Sequence, residues 1–551
     1  MPQFDMRAAC VDWIRAIGRE FVVTSREELL QAGTATFSTD QAIPAILLPG
    51  SREEVQDCVR IANLHRMALY PISSGKNWGY GSRVPAADNC ALLDLSRMNR
   101  IVDFNEDLAY VTVEPGVTQR QLFEFLQTRK SRLWMDATGA SPECSLIGNT
   151  MERGFGHTPY GDHFACCCGF EVVLPTGECI ATGFGSLPDA KAAPVYRWGV
   201  GPVLDGLFTQ SNFGIVTRMT VWLMPAPEYT QAFFFQCASE EDLPRVIDAL
   251  RPLRLNGTLR SSVHIGNDYK VLNGLGQFPW EKTAGKVPLS PDHMREIRSE
   301  MKFGRWNGSG GIYGTKVQVK EARRLVKLAL RGKVTRLQFM DDRLLRLASR
   351  FARPYRWLTG LDLSRTLEIV KPVFGLIKGI PTSKPMESCY WRKRGPVPAN
   401  PDPDRDGCGL LWCAPVAPAD GKSVQSMTAL AEKILLAYGF EPMISLTLTT
   451  DRAVTCVVSI SYDREIRGED HRAMECYREL LDQMTDAGFY SYRLGIQARR
   501  LFDPETAYGR LLATLKDALD PNHVVAPGRY LAPAENRQET VKVLKKRAAS
   551  G

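Results

Sequence analysis

Two stretches of this chain gather residue types that could hold a ligand or act on it. The first, PISSGKNWGYGS (Pro71–Ser82), sets Ser74, Gly75, Lys76, Asn77, Gly79 and Tyr80 directly after an apolar segment. Closely spaced glycines let backbone amides turn toward one point and cradle an anion such as a diphosphate. Lys76 is not followed by a hydroxyl residue, so the loop is not a magnesium-nucleotide P-loop. Nor do its glycines open a helix as a GxGxxG dinucleotide turn does. The second, SLIGNTMERGFGHTPYGDHF (Ser145–Phe164), concentrates Gly148, Asn149, Gly156 and His157 with an arginine, an aspartate and a further histidine in a segment of little periodicity. Chain of that composition wraps a ligand or makes tight turns. Taken singly, each stretch reads equally well as a structural turn. Cys166–Cys168 carries three adjacent thiols. They cannot converge on one ion without severe backbone distortion, and no CxxC accompanies them. They read as part of a buried strand, and no metal is expected.

Elements must hold these stretches in place. Met6–Ile17 predicts a helix with Ala8, Val11, Ile14 and Ile17 near one face. Ala45–Leu48 predicts a short strand, Pro49-Gly50 a turn, and Ser51 a helix N-cap with Glu54 as its capping-box partner. Val55, Val59, Ala62 and Ile61 supply that helix's buried side. Leu69–Ile72 predicts the strand that delivers the chain into the first glycine turn. Strands at Ala91–Asp94 and Leu108–Val113 follow, then a helix opening near Thr118, and EVVLPTGECIAT predicts a hairpin with Thr176-Gly177 at its tip. Past Pro225 the texture changes. A strand at Gln231–Cys237 leads to a helix capped by Ser239 with Asp242 at the box position. Later, Ile444–Thr450 and Ala453–Tyr462 read as antiparallel partners before an amphipathic helix at His471–Ala487. This is a mixed α/β unit followed by an antiparallel sheet backed by helices. Residues 261–380 read as mostly helical or irregular, and Pro396–Gly407 as an exposed proline-rich loop.

The whole-chain properties bound the answer. At 551 residues and 44% hydrophobic composition the chain can build at least two cores. Its net charge of +8 is a small excess of 69 basic over 61 acidic residues. The basic runs Lys384–Arg394 and Lys542–Arg547 are short, as solvated faces or tails are, so no nucleic-acid partner is expected. No 18-residue apolar run predicts a membrane span, and the N-terminus lacks the form of a signal peptide. The 14 cysteines are then expected as reduced thiols in the cytoplasm.

Several longer stretches, taken in order, resemble the vanillyl-alcohol oxidase and p-cresol methylhydroxylase flavoproteins, FAD enzymes that oxidise para-alkylphenols. They are PISSGKNWGYG, VEPGVTQRQLFEFL, GNTMERGFGHTPYGDHF with GFEVVLPTGE, GPVLDGLFTQSNFGIVTRMTVWLMP, SYRLG and PNHVVAPGRY. The resemblance implies an α+β fold: a bipartite FAD-binding domain (residues 1–225 and 490–551) with an inserted antiparallel-sheet cap domain (226–489). It implies that Gly75–Gly81 cradle the diphosphate. Ser74, Gly75, Lys76, Asn77, Gly79, Pro115, Gly116, Cys144, Gly148, Asn149, Gly156, Asn212, Gly214, Ile215 and Arg529 would line the cofactor. Tyr80, Tyr492 and Arg493 would bind a phenolate oxygen, lowering its pKa so that the ring can push out a hydride.

Some positions depart from the family pattern. His157 stands where the family has a tyrosine, and a histidine there is expected to bind an oxyanion while titrating near neutral pH. The residue that anchors flavin in the family's cap falls at Leu410, in LLWCAP, near Cys408 and Cys413. Leucine forms no such bond, so FAD is expected to be non-covalent. Cys144 lies four residues before Gly148, where related berberine-bridge-type enzymes carry a flavin-linked cysteine. Their partner histidine is missing, since the chain has Lys76-Asn77, so only a single thioether stays open. Asp136 resembles the family's catalytic aspartate, offset by one residue. The expectation is an FAD-dependent oxidoreductase taking hydride from a small aromatic, para-substituted phenol, with oxygen or a cytochrome-type subunit as electron acceptor, assembled as a homo-oligomer. The alternatives are an oxidase or dehydrogenase of a specialised natural-product intermediate, or a flavin-binding protein without catalysis. Retained Tyr80, Tyr492 and Arg493 speak against the last.

Overall fold

The computed structural model describes residues 6–359, 363–498 and 505–531; the basic run Lys542–Arg547 lies outside the described residues. Parallel strands require a crossover, and the first sheet obtains one from the helix Arg52–His65. Its strands β1 (Val22–Val23), β2 (Ile46–Leu47), β3 (Ala68–Ile72) and β4 (Cys90–Asp94) lie in the order β1-β2-β4-β3, with β4 parallel to both neighbours. Val55, Cys58, Val59 and Ala62 bury one side of the helix. Ser51 Oγ accepts from the Glu54 amide at 3.2 Å. The Glu54 carboxylate accepts from Gly50 N rather than from the cap itself, so the capping box closes one residue early.

A second, antiparallel sheet runs β5-β6-β10-β8-β9, from β5 (Ile101–Asn105), β6 (Tyr110–Val113), β8 (Cys167–Val173), β9 (Cys179–Ala181) and β10 (Ile215–Trp222). Cys167 and Cys168 are buried in β8, as their run predicts, whereas Cys166 precedes the strand and is half-buried. The short strands β7 (Leu133–Trp134) and β11 (Met224–Pro225) pair with each other in a separate two-stranded sheet. The end of the chain returns here: Leu69 N donates to Val524 O and Ala526 N to Leu69 O, each at 2.7 Å, laying Val524–Ala526 alongside β3.

The middle of the chain builds the largest sheet. Its strands are β12 (Tyr229–Cys237), β13 (Val263–Asn267), β14 (Trp306–Gly314), β15 (Arg336–Met340), β16 (Cys408–Cys413), β17 (Val416–Pro418), β18 (Met443–Leu448) and β19 (Ala453–Asp463), and the main order is β15-β12-β14-β13-β18-β19-β16. Three of them fall in residues 261–380, against the helical or irregular reading of that region. The composition of β14, WNGSGGIYG, conceals its strand character. In register, Gly308 faces Phe235 and Gly310 faces Phe233, and the large rings of β12 fill the space that side chains on β14 would occupy. The helix after β12 begins at Asp242, not at Ser239. The Asp242 carboxylate instead reaches back to the amides of Ala238 and Ser239.

Side chains alternate strictly across this sheet. Ile265, Leu446, Val458, Ile460, Leu411 and Cys413 enter the core with the helices Asp242–Leu255, Gly421–Ala437 and Glu469–Asp486. His264, Ser309, Trp412, Ser445, Thr447 and Ser459 take the other face. The predicted basic face Lys384–Arg394 is largely ion-paired: Arg392 is buried against Glu441, and Lys393 bonds Asp463 and Glu465. Pro396–Gly407 is exposed in its first half and at Arg405, but Pro403 and Asp404 are buried, Asp404 accepting from Ser82 Oγ at 2.6 Å.

A Cβ on Gly308 would stand 2.1 Å from the Phe235 ring. Gly308→Ala is therefore expected to destabilise the fold by about 2 kcal/mol, as overpacking does. Urea unfolding reads this directly; an equal loss in a Phe235→Leu background would refute the contact as the cause.

Candidate active site

β3 ends at Ile72, and the chain then turns sharply through the glycine stretch. Gly75 adopts φ +65°, a left-handed conformation that side-chain-bearing residues rarely take. The amides of Gly75, Lys76 and Asn77 find no acceptor among the described residues, which leaves a nest of free N–H groups. Beyond it the turn is laced to two distant segments. Gly79 O accepts from Trp412 N of β16 and from Gln497 Nε2, and Ile496 N donates to Tyr80 O. The glycine turn, the large sheet and the SYRLG segment thus meet, and a cavity of about 540 Å³ lies among them.

An ionic cluster largely withdrawn from solvent forms one side. Arg493 places its guanidinium 4.5 Å from the centre of the Tyr80 ring and donates to Asn77 Oδ1 at 2.5 Å. Its Nε lies 3.4 Å from Glu152 Oε2. Arg529 Nη2 donates to both oxygens of Glu152 at 2.8 Å, and Tyr530 donates its hydroxyl to the same carboxylate at 2.6 Å. Burial alone would raise the pKa of Glu152, but the two arginines outweigh it and hold the carboxyl below its ordinary value. Burial raises both Tyr80 and Tyr492, Arg493 pulling each the other way, so both remain protonated donors. Burial opposes the charge on Arg493, yet Glu152 and the tyrosines raise its pKa overall.

Opposite stands a pair of histidines. His157 and His264 stack with ring centres 4.1 Å apart. Burial lowers the pKa of each, and for His264 the neighbouring His157 adds to the effect. His157 is therefore neutral near pH 7, which corrects the expectation of a histidine titrating there. Its Nδ1 lies 3.1 Å from the carbonyl oxygen of Ala137; a neutral ring in that position must donate from Nδ1, leaving Nε2 as an acceptor. Asp136 does not reach the cavity. Its carboxylate accepts from the amides of His157 and Thr158 and from His163 Nε2, and so fixes the second glycine stretch.

Ser74, Gly75, Lys76, Asn77, Tyr80, Pro115, Cys144, Gly148, Asn149, His157, Gly214, Ile215, Tyr492, Arg493 and Arg529 all line this cavity. Four residues expected at the cofactor do not. Gly79 packs against Trp412, and a Cβ on Gly116 would stand 2.3 Å from Ser96 O. Gly156 is pressed on the Asp136 carboxylate, and Asn212 holds Ala526 O and Lys516. Leu410 is buried beside Trp78 and Cys408, while Cys413 points into the opposite core. Trp412 is the β16 side chain at the cavity. Cys144 does line it, with burial pushing its thiol up to about 11. Glu152, His264, Lys270 and Trp412 also line the wall and were not singled out from sequence. Glu152 stands inside a quoted glycine stretch, and its charge amid apolar turns was the available signal; His264 lies in a segment read as irregular.

A family model for an FAD binding domain matches residues 43–183. The 4-cresol dehydrogenase (hydroxylating) flavoprotein subunit of Pseudomonas putida is 32% identical over 489 residues, covering 87% of this chain and 85% of that protein. The chain belongs to the vanillyl-alcohol oxidase/p-cresol methylhydroxylase family. Its similarity to 1'-carboxy-chondrochloren decarboxylase of Chondromyces crocatus is 46% identity, over 93% of this chain and 95% of the relative. The structure of p-cresol methylhydroxylase with substrate bound superposes with a TM-score of 0.85 at 28% identity, covering 97% of this chain and 98% of that one. That of 4-ethylphenol oxidase from Gulosibacter chungangensis, an isoeugenol complex, gives 0.87 at 28% identity over 97% and 99%. This family member is an FAD-binding oxidoreductase with the two-domain fold of its relatives. Its free amides at Gly75–Asn77 fit a diphosphate. Ser211 Oγ, Trp412 Nε1 and His264 Nε2, buried without protein partners, offer further polar contacts to a bound molecule. Among the described residues no helix is long and apolar enough to cross a membrane, and no group of side chains could hold a metal ion.

The histidine pair makes stability depend on pH. A folded pKa below the ordinary 6.5 means that the unfolded chain takes up protons first as pH falls. The contribution of the neutral pair is thus full above that value and declines below it. Asp404, raised to about 7 by burial, acts in the opposite sense and remains in any histidine variant. The melting temperature is expected to fall more between about pH 7 and about pH 5 in the parent than in a His157→Phe, His264→Phe double variant. Equal slopes would show that the pair is not held neutral.

Proposed function

We propose that the enzyme removes a hydride from the first carbon of the para substituent of a 4-substituted phenol. The observation that carries this reading is the half-buried Arg493 guanidinium set over Tyr80 beside Tyr492, on the wall of a cavity large enough for a small aromatic molecule. A fixed cation and two protonated tyrosines stabilise an oxyanion without reorganising when charge develops. With the phenolic oxygen held as phenolate, electron density flows through the ring to the benzylic carbon attached at the para position as the hydride departs from it. FAD supplies the two-electron acceptor for that chemistry. Glu152 keeps Arg493 oriented, and the sheet face holding His264, Ser309, Ser445 and Thr447 supplies polar contacts to the substituent. His157 Nε2, an acceptor, suits a substituent that donates a hydrogen bond. The division at residues 225 and 490 belongs to the same reading, with 226–489 as the substrate-covering cap.

A second reading is favoured by one observation: the relative sharing 46% identity is named for removing a carboxyl group. If the para substituent bears a carboxylate two carbons from the ring, hydride loss from the first carbon creates an electron-poor centre. The pair from the breaking C–CO2 bond can refill it, giving an alkene and carbon dioxide. Turnover of 3-(4-hydroxyphenyl)propanoate separates the readings. The second yields 4-vinylphenol and carbon dioxide; the first alone keeps the carboxyl group.

Arg493→Ala is expected to slow flavin reduction by a phenol about a hundredfold, equivalent to roughly 3 kcal/mol. Rapid-mixing absorbance measures the rate, and FAD content and the melting curve report whether the site remains assembled. A folded, flavin-loaded variant reduced at the parental rate would remove the case for a phenolate.

FAD is expected to leave the protein on acid precipitation, since Leu410 has no nucleophilic atom and the Cys144 thiol stays protonated at neutral pH. Flavin retained in the pellet would contradict this, and its loss from a Cys144→Ala variant would locate the bond.

A further inference from the structure

The cavity wall contains a cation that none of the contacts above employs. Lys270 stands in the first turn of the helix Asp268–Leu275, pinned there because its amide donates to Asn267 Oδ1 at 3.0 Å. Its Cβ and Cγ lie 3.5 Å from where a Cβ on Gly266 would be, so the side chain folds over the end of β13. Gly266 pairs with Ser445 of β18, and both Lys270 and Ser445 line the cavity. The hydrogen bond of Lys270 Nζ goes to a neutral acceptor, Asn273 Oδ1, at 3.3 Å.

The other cations of the wall are accounted for. Arg493 and Arg529 share Glu152, and Lys76 belongs to the nest of free amides, 5.4 Å from the centre of the Trp78 ring. Glu152 is the one carboxylate lining the cavity, and no acidic side chain among the described residues pairs with Lys270. An ammonium withdrawn from water without a counter-charge is unfavourable unless a ligand supplies one. Burial accordingly draws the pKa of Lys270 below its ordinary value.

We propose that Lys270 binds a carboxylate on the substrate, so that the enzyme selects phenols whose para substituent ends in an acid group. This rests on the phenol reading above and deepens it. The phenolic oxygen meets Arg493 on one wall, while the acid meets Lys270 on the wall formed by the large sheet and its following helix.

The test uses two probes of one shape, 3-(4-hydroxyphenyl)propanoate and its neutral amide. Their dissociation constants are read from flavin absorbance changes in the FAD-loaded full chain, without turnover. The parent is expected to bind the acid more tightly than the amide, by about thirtyfold, the lower range for loss of one member of a buried charge pair. Lys270→Met should abolish that preference with FAD content unchanged, and Lys270→Arg should retain it. Equal binding of acid and amide by the parent would overturn the assignment while leaving the phenol reading intact. So would a preference that survives in Lys270→Met, which would place the acid at another cation. Loss of FAD from both variants would assign Lys270 to the cofactor instead. If neither probe binds the parent, the phenol reading falls and this inference falls with it.

Discussion

A carboxylate largely withdrawn from water must be neutralised where it stands, and half-buried Glu152 meets that requirement with two arginines that come from the far end of the chain. The constraint organises the molecule. Glu152 follows the short helix Leu146–Met151, so its pairing with Arg493 and Arg529 pulls the C-terminal segment onto the second glycine stretch. The same arginine then reaches Asn77 in the first glycine stretch. One negative charge thereby ties together three parts of the sequence more than seventy residues apart, and the cavity is the space left among them. The pairing also leaves Arg493 with a direction: its guanidinium lies against Tyr80 rather than in solvent.

The large sheet contributes through its period of two. Alternate residues of β18 and β19 are apolar toward the helices, and toward the cavity they are hydroxylic at Ser445, Thr447 and Ser459, with Val457 between. Chemistry can therefore vary on one face without disturbing the core on the other. His264 on β13 is in register with Ser309 and Thr447 on its two neighbours, and Thr447 bonds its Nδ1 at 3.1 Å. A row of polar side chains across three strands thus faces His157 from the opposite unit.

Much of this was legible in the sequence where local rules act alone. The Ser51 and Thr118 caps, the hairpin around Gly177 and the strand leading into Gly75 follow from short-range chemistry. The order of glycine-rich and SYRLG motifs carried the family and the residues around Arg493. What was hidden depends on neighbours distant in sequence. β14 looks irregular because its glycines are matched to phenylalanines on β12. Gly116 and Gly156 resemble ligand-binding glycines, but backbone and carboxylate atoms crowd them from elsewhere in the chain. The neutrality of His157 could not be read from its motif, because it arises from enclosure beside His264, more than a hundred residues later.

The strand-like return of Val524–Ala526 onto β3 has a consequence for how the molecule comes into being. A chain emerging from the ribosome exposes β3 and the glycine turn long before Val524–Ala526, the segment that flanks them, is made. The intervening sheet can fold from contacts within 229–463 while the first unit still lacks its edge and the arginines for Glu152. Contacts spanning most of the chain length close slowly, and an uncovered strand edge invites pairing with another molecule in the interval. The cavity wall is therefore complete only once the segment carrying Arg493 and Arg529 has joined it. The interval before that segment arrives is thus when the chain is most open to mispairing, and its length is fixed by the distance in sequence between β3 and Val524.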